Sequence, residues 1–329
     1  MNRGERKKIA VVLLYMGGPD TLSAIRPFLF NLLRDRDIVR IPGGIVLQTL
    51  FAYIISGIRT RKVRPFYETI GGGSPLNQIT LKQAVLLEKY LNEEGEDFFS
   101  VHMGMRYWYP FTRDAVSEAL ERSPSRIVAL PFYPHYSKTT TGSSFRELSR
   151  CLKREKSSVP VIMVEDFHDH PGYVASIREK ITGAISGLRT DKTAVIFSAH
   201  GLPKKIIDEG DPYLAQVEKT VKLVMEGFPG LSHYLSFQSR VGRDWLEPAT
   251  EDTIRLARES WFDNVVMVPI SFVSDHIETL YEIDVLFKDM AEEIGLNFIR
   301  TESLNESELF INALGDVVLS HLIDEVRGV

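Results

Sequence analysis

Eight short runs of apolar, largely β-branched residues punctuate this chain of 329 residues, in two sets of four. The first set is Ile9–Tyr15, Phe98–Gly104, Ile127–Pro134 and Pro160–Glu165. The second is Thr193–Ser198, His233–Gln238, Asn264–Ser271 and Leu296–Thr301. Amphipathic helical stretches lie between them, among them Asn77–Glu94, Phe111–Arg122, Gly142–Arg154, Tyr213–Met225 and Pro248–Ser260. Strand runs that alternate with helices argue for parallel, doubly wound sheets. The predicted fold is therefore α/β, with two similar Rossmann-like, doubly wound, parallel-sheet domains facing a central cleft. The expected domains are residues 1–170 and 171–329, joined through a helix near Tyr173–Gly187.

The two halves differ in one place. Between its first and second strands the first half carries an extra segment, about 35–73. Within it, Ile41 to Ile58 holds no charged residue, and Leu47, Leu50, Phe51, Ile54, Ile55 and Ile58 recur at helical spacing. Gln48, Thr49, Tyr53 and Ser56 take the other face. The stretch is too short for a membrane span, which needs about 20 apolar residues, and Pro42-Gly43-Gly44 interrupts it. A core helix is the plain reading. The interruption of a regular βα pattern favours an exposed lip over 45–58 that dips into a bilayer surface and receives an apolar molecule. Arg59, Arg61, Lys62 and Arg64 follow at once and suit anionic groups.

Composition closes off several function classes. A net charge of −5 with no long basic run gives no electrostatic support to nucleic-acid binding. Cys151 is the only cysteine, so an intramolecular disulfide and a cysteine-ligated iron–sulfur cluster within one chain are both excluded, and a cytoplasmic compartment is expected. Arg3, Arg6, Lys7 and Lys8 before Ile9–Met16 faintly mimic a signal peptide, but the run is short and lacks a small-residue cleavage site. Gly71-Gly72-Gly73-Ser74 lacks the Gly-Lys-Ser/Thr ending of a phosphate loop. His168-Asp169-His170 reads as surface decoration ahead of Pro171-Gly172.

Two segments carry the chemistry. Ser198-Ala199-His200-Gly201-Leu202-Pro203 follows the apolar run Ala194–Phe197. Ser274-Asp275-His276-Ile277-Glu278-Thr279-Leu280-Tyr281-Glu282-Ile283-Asp284 follows Val265–Ile270. Each reads as a turn at the carboxyl end of a buried strand, where open α/β sheets hold ligands. An imidazole and several carboxylates there suit a divalent iron-type metal and can accept protons. In a helix, Asp275, Glu278 and Glu282 fall at i, i+3 and i+7 along one face. Carboxylates in such a row repel one another, so at least one is expected to have a raised pKa.

This pair of segments resembles the signature of the ferrochelatases, which insert Fe²⁺ into a porphyrin. Further matches occur in the same order along the chain: Met16-Gly17-Gly18-Pro19, Asp35-Arg36-Asp37, Gly71-Gly72-Gly73-Ser74-Pro75-Leu76, Gly104-Met105-Arg106-Tyr107, Pro131–Ser137 with Thr140–Ser144, and Phe237–Gly242. The resemblance implies a class II chelatase-like fold whose last helix, about Ser307–Val326, packs back across the first domain. It implies His200 as proton acceptor and metal ligand, with Glu278 opposite it across the cleft as the second metal ligand. Asp275, His276 and Glu282 are then supporting or relay groups. Met16 and Phe272 would line the porphyrin pocket, with Tyr107 and Trp245 as aromatic walls. Arg59, Ser74 and Arg106 would contact propionates or ring edges, and Tyr67 would add a hydrogen bond. Fe²⁺ is a substrate, and neither a cofactor nor a cluster is expected. Lys138 stands where cluster-bearing members have cysteine, and the spacing from Gly242 to Trp245 is shorter than usual.

The apolar lip favours protoporphyrin IX, and coproporphyrin III is the alternative. A cobalt or nickel chelatase acting on sirohydrochlorin shares the fold but tends to lack a long lip. A non-catalytic haem or metal carrier needs no acidic row. Expected partners are the porphyrin, Fe²⁺ and a membrane surface, peripherally on the inner membrane. Oligomeric state is not legible in the sequence.

Overall fold

The computed structural model describes residues 6–327. Arg3 of the basic N-terminal stretch and the last two residues lie outside the described residues. By packing, the chain divides into two units. The first comprises residues up to 132, 137–166 and those from 314 on; the second comprises 133–136 and 167–313.

The first unit opens with β1 (Lys8–Tyr15), then α1 (Ile25–Arg34), α2 (Gly44–Thr69) and α3 (Leu76–Glu94). It continues with β2 (Phe98–Met105), α4 (Thr112–Glu121), β3 (Arg126–Pro131), α5 (Thr141–Arg154) and β4 (Val161–Met163). Its sheet is parallel, in the order β2-β1-β3-β4. Ile9 to Tyr15 are all buried. Both faces of β1 are thus covered, which explains a continuous apolar run rather than an alternating one. Ala10, Val12 and Leu14 pack with Ala115, Val116 and Ala119 of α4 and Leu148 and Cys151 of α5. Each large apolar side chain of this core contributes about 1.5–3 kcal/mol.

The second unit contains α6 (Pro171–Ala184), β5 (Thr193–His200), α7 (Lys204–Asp208), α8 (Tyr213–Met225), β6 (Ser232–Gln238), α9 (Thr250–Glu259) and β7 (Asn264–Pro269). A π-helix (Glu278–Phe287), α10 (Lys288–Glu293), β8 (Asn297–Arg300) and α11 (Glu308–Arg327) follow. The sheet order is β6-β5-β7-β8, the first unit's order repeated, again parallel. The registers repeat as well. Leu14 pairs with Pro131 and accepts from Phe132 N–H at 2.8 Å; Ser198 pairs with Pro269 and accepts from Ile270 N–H at 3.1 Å. From Leu314 onward α11 belongs to the first unit, where Tyr90 hydroxyl donates to Asp316 Oδ1 at 2.8 Å.

The extra segment is an exposed helix. Ile45, Val46, Leu47, Leu50, Ile54 and Ile58 of α2 are all exposed, from 49% to 74%. On the other side of the helix Gln48, Ala52 and Ser56 are fully buried, while Tyr53 is 59% exposed. Gln48 Nε2 donates to Leu33 O (2.7 Å) and Val39 O (2.8 Å), while its Oε1 accepts from Ile41 N–H (2.9 Å). One amide thereby ties the connection after α1 to the helix. No helix among the described residues is long and apolar enough to cross a membrane.

The triple glycine is a packing device. Gly71 and Gly72 have positive φ, 102° and 94°, and a Cβ on Gly73 would lie 2.2 Å from Asp20 O. Ser74 N–H donates to Pro19 O at 2.7 Å. The loop thus closes on the turn after β1.

Candidate active site

β5 ends on His200, in register with Gln238 at the end of β6. Beside them, the turn after β7 leads through Phe272 and His276 into the π-helix that begins at Glu278. Four functional segments therefore meet at the carboxyl edge of one parallel sheet. Gly201 makes this possible: a Cβ there would lie 2.9 Å from Gln238 O and 2.8 Å from Arg240 Cγ.

His200 Nδ1 lies 2.8 Å from Glu278 Oε2. The carboxylate only accepts, so Nδ1 carries the proton and Nε2 is left for another task. Nε2 has no described partner. The expectation that Glu278 stands across a cleft from His200 is corrected: both belong to the second unit and bond directly. Burial works against charging His200, yet Glu278 in contact and Glu282 beyond outweigh it, and the imidazole's pKa is raised. Burial likewise raises Glu278, but His200 prevails and its pKa is lowered.

Glu282 is the carboxyl with a raised pKa, through burial first and the neighbouring Glu278 second. A π-helix advances fewer degrees per residue than an α-helix, and its i→i+5 bonding is seen where Lys288 N–H donates to Ile283 O. Residues four apart remain on one side, and Ser239 joins the two glutamates. Its hydroxyl lies 3.0 Å from Glu278 Oε2 and 2.5 Å from Glu282 Oε2. Gln238 Nε2 donates to Glu278 O (2.9 Å) and Glu282 Oε2 (3.1 Å), and Ser198 hydroxyl fixes its Oε1 at 2.7 Å. The sequence reading used Gln238 and Ser239 only as a family match and missed this cradle. The signal was a polar pair at a strand end.

Asp275 does not belong to the acidic row. It precedes the π-helix, and its Oδ1 accepts from Arg300 (3.0 Å), Ser303 (2.8 Å) and Thr279 (2.9 Å), its Oδ2 from Asn305 (2.8 Å). Burial raises its pKa, but Arg300 and these donors lower it overall. Asp275 ties the turn to Arg300, Ser303 and Asn305. His276 is buried; its Nδ1 donates to Ser274 O at 3.1 Å and its Nε2 has no partner among the described residues. Burial lowers its pKa, so it stays neutral. The Phe272 ring lies 4.6 Å from that of His276 and 6.2 Å from that of His200. Trp245 pairs with Pro203, and a Cβ on Gly201 would lie 3.4 Å from its ring. Tyr213 hydroxyl, which the sequence reading missed, donates to His200 O at 2.9 Å and lies 2.7 Å from Ser271 Oγ.

The remaining expected residues lie in the first unit. Tyr107 is buried, packed edge-on against Phe28, with its hydroxyl 2.8 Å from Asp35 Oδ2. Arg106 pairs with Asp35 (2.9 Å) and Ser143 (3.1 Å). Ser74 and Tyr67 are buried. Met16 is half-buried after β1, and Arg59 is exposed on α2.

The ferrochelatase family model matches residues 8–322. The chain belongs to the ferrochelatase family. It is 45% identical over 314 residues to the ferrochelatase of Aquifex aeolicus, covering 94% of this chain and 98% of that one. It is 46% identical to that of Geobacter metallireducens, covering 95% and 98%. Among solved structures, this ferrochelatase fold is similar to SirB from Bacillus subtilis with Fe³⁺, with a TM-score of 0.60 at 11% identity over 97% of this chain and 98% of that one. CbiX, the terminal enzyme of sirohaem biosynthesis in denitrifying bacteria, gives 0.50 at 12% identity over 94% and 98%. At such identities the likeness is one of fold alone, and the choice of ferrochelatase over sirohydrochlorin chelatase rests on the full-length family match.

Proposed function

We propose that His200 Nε2 is the atom that takes a pyrrole proton and meets the incoming Fe²⁺, with Glu278 as its charge partner. The reaction of the family is insertion of Fe²⁺ into a porphyrin to make haem, with both as substrates. Two pyrrole protons must leave as the metal enters. The observation that carries the reading is the 2.8 Å bond between His200 Nδ1 and Glu278. A histidine whose one ring nitrogen donates to a carboxylate presents the other as a fixed, more basic lone pair. Glu282, with its raised pKa, joins through Ser239 as a second proton site. Phe272 and Trp245 supply apolar surface beside it. A haem carrier has no use for the Glu278–Ser239–Glu282 array.

Protoporphyrin IX is the favoured substrate, because the exposed apolar face of α2 suits the less polar ring. The same face, followed by exposed Arg59, Arg61 and Lys62, fits a peripheral contact with an anionic bilayer surface. Cluster chemistry has no support: Cys151 is buried, and burial, then Glu147, push its thiol up to about 11. One thiol cannot hold a cluster.

The test is zinc insertion followed by fluorescence. His200→Ala should lose about 10²–10⁴-fold in turnover, the usual cost of removing a general base. Porphyrin binding should change by less than about tenfold, since walls and carboxylate contacts hold the ring. Turnover close to wild type would remove His200 from this role. Competitive turnover of protoporphyrin IX and coproporphyrin III decides between those rings.

A further inference from the structure

We propose that the first unit carries a binding site for a small polyanion, a molecule with two or more phosphate or carboxylate groups, in an arginine-walled cavity. The cavity, about 570 Å³, is lined by Arg34, Arg36, Arg106, Arg113, Arg150 and Arg154. Such a volume is typical of small-molecule sites. Arg34 ends α1 and Arg36 follows it, Arg106 follows β2, Arg113 starts α4, and Arg150 and Arg154 lie on α5, all within the first unit.

Three carboxylates line the same cavity, and each is already engaged. Asp35 takes Arg106 at 2.9 Å, with the Tyr107 and Ser143 hydroxyls. Asp37 takes Arg146 at 2.8 Å, and Glu147 takes Arg150 at 3.1 Å. Arg113 pairs with Asp114 at 3.3 Å. Arg34, Arg36 and Arg154 then make no ion pair among the described residues. Three such guanidinium groups around one concavity repel each other, and a concave low-dielectric wall concentrates their field. A bound anion relieves that repulsion. The forked, weakly hydrated guanidinium matches the oxygen spacing of phosphate and carboxylate.

A second feature acts in the same direction. Thr112 and Arg113, the first two residues of the ten-residue α4, also line the cavity, so the positive end of a helix dipole faces it. Asp114 offsets part of this by accepting the Phe111 N–H at 2.8 Å. Ile45, Met105 and Phe111 give the cavity an apolar patch that accommodates a short carbon body between anionic groups. This site uses none of the groups assigned above to proton transfer.

The probes are pyrophosphate and citrate, titrated calorimetrically into the full-length protein at matched ionic strength, with sulfate as control. Saturable binding of either is expected, with sulfate weaker. Preference for pyrophosphate marks a phosphate ligand, and preference for citrate a carboxylate one. Arg34→Ala with Arg154→Ala should weaken binding about tenfold or more, and the double lysine variant less, because it keeps charge without the fork. Both arginines are exposed, so the variants should keep the wild-type melting temperature and zinc-insertion kinetics. Absence of saturable heat, or equal affinity in wild type and the double alanine variant, overturns the proposal. A rise in porphyrin KM in that variant would also overturn it, by making the cavity part of the substrate site.

Discussion

Ser239 meets Glu282 through two groups: its N–H donates to Oε1 at 2.8 Å and its hydroxyl lies 2.5 Å from Oε2. The backbone there is left-handed, with φ of 57°, an uncommon state for a residue with a side chain. Such strain persists only where neighbours enforce it. Here it aims the N–H and the hydroxyl at one carboxylate. Ser239→Ala keeps the N–H and removes the hydroxyl that links the two glutamates. We expect turnover to fall about 10- to 150-fold, the equivalent of about 1.5–3 kcal/mol for a hydrogen bond to a charged group. Wild-type turnover in this variant would show that the link has no part in the reaction.

The His200–Glu278 pair sets the pH profile. Glu278 raises the pKa of His200, so the neutral imidazole needed to take a proton accumulates only above the ordinary histidine value. Turnover should therefore rise with pH through that raised value. In Glu278→Gln the carboxylate is gone, burial remains, and the limb should move to lower pH while the maximum falls. A limb at the same pH in both proteins would separate the titration from this pair.

Asp275 offers a stability test. Its folded pKa is lowered, so it contributes stability above its unfolded pKa, near 3.9, and loses it as pH falls through the folded value. Asp275→Asn leaves Arg300, a largely buried cation, without its charge partner there, although Asp284 still accepts from it at 2.6 Å. Breaking a buried pair costs about 3–5 kcal/mol, and the retained Asp284 should hold the loss to the lower end. Chemical denaturation at pH 7 and pH 3 measures it. The difference between wild type and variant should shrink at the lower pH; an equal difference at both would contradict the Asp275–Arg300 pairing.

The α2 face predicts opposite outcomes for neighbouring residues. Leu50 and Ile54 are 53% and 50% exposed, so Leu50→Ser with Ile54→Ser should barely move the melting temperature. It should weaken co-sedimentation with anionic vesicles and raise the apparent KM for porphyrin. Gln48→Ala should do the reverse. It strands three backbone groups, at about 1–3 kcal/mol for each buried group left unsatisfied. A large drop in melting for the serine pair would argue that α2 is core.

The central strands β1, β3, β5 and β7 were legible because burial on both faces writes itself as an unbroken apolar run, and all eight strands lie within three residues of their expected limits. His200 and Glu278 were legible as strand-end turns. The placement of Asp275 was not, because Arg300, Ser303 and Asn305 arrive from a segment 25 to 30 residues away. Nor was the π-helix, since a spacing of i, i+3, i+7 is counted on an α-helical wheel. In α2 the apolar periodicity was plain, but periodicity alone does not say which face turns inward. Gln48 settles that through three backbone partners no pattern displays.

The matched registers of the two sheets have one more consequence. Leu14 and Ser198 occupy equivalent places, since each pairs with the last proline of the neighbouring strand. Counting two residues on, Met16 is the counterpart of His200. The same address in a repeated architecture thus holds a thioether in one copy and an imidazole in the other. Only the second can carry a proton, so the repetition extends to the scaffold and stops at the reactive atom. Exchanging the side chains at these two addresses would ask whether the acid–base function belongs to the address or to the carboxylates gathered around one copy of it.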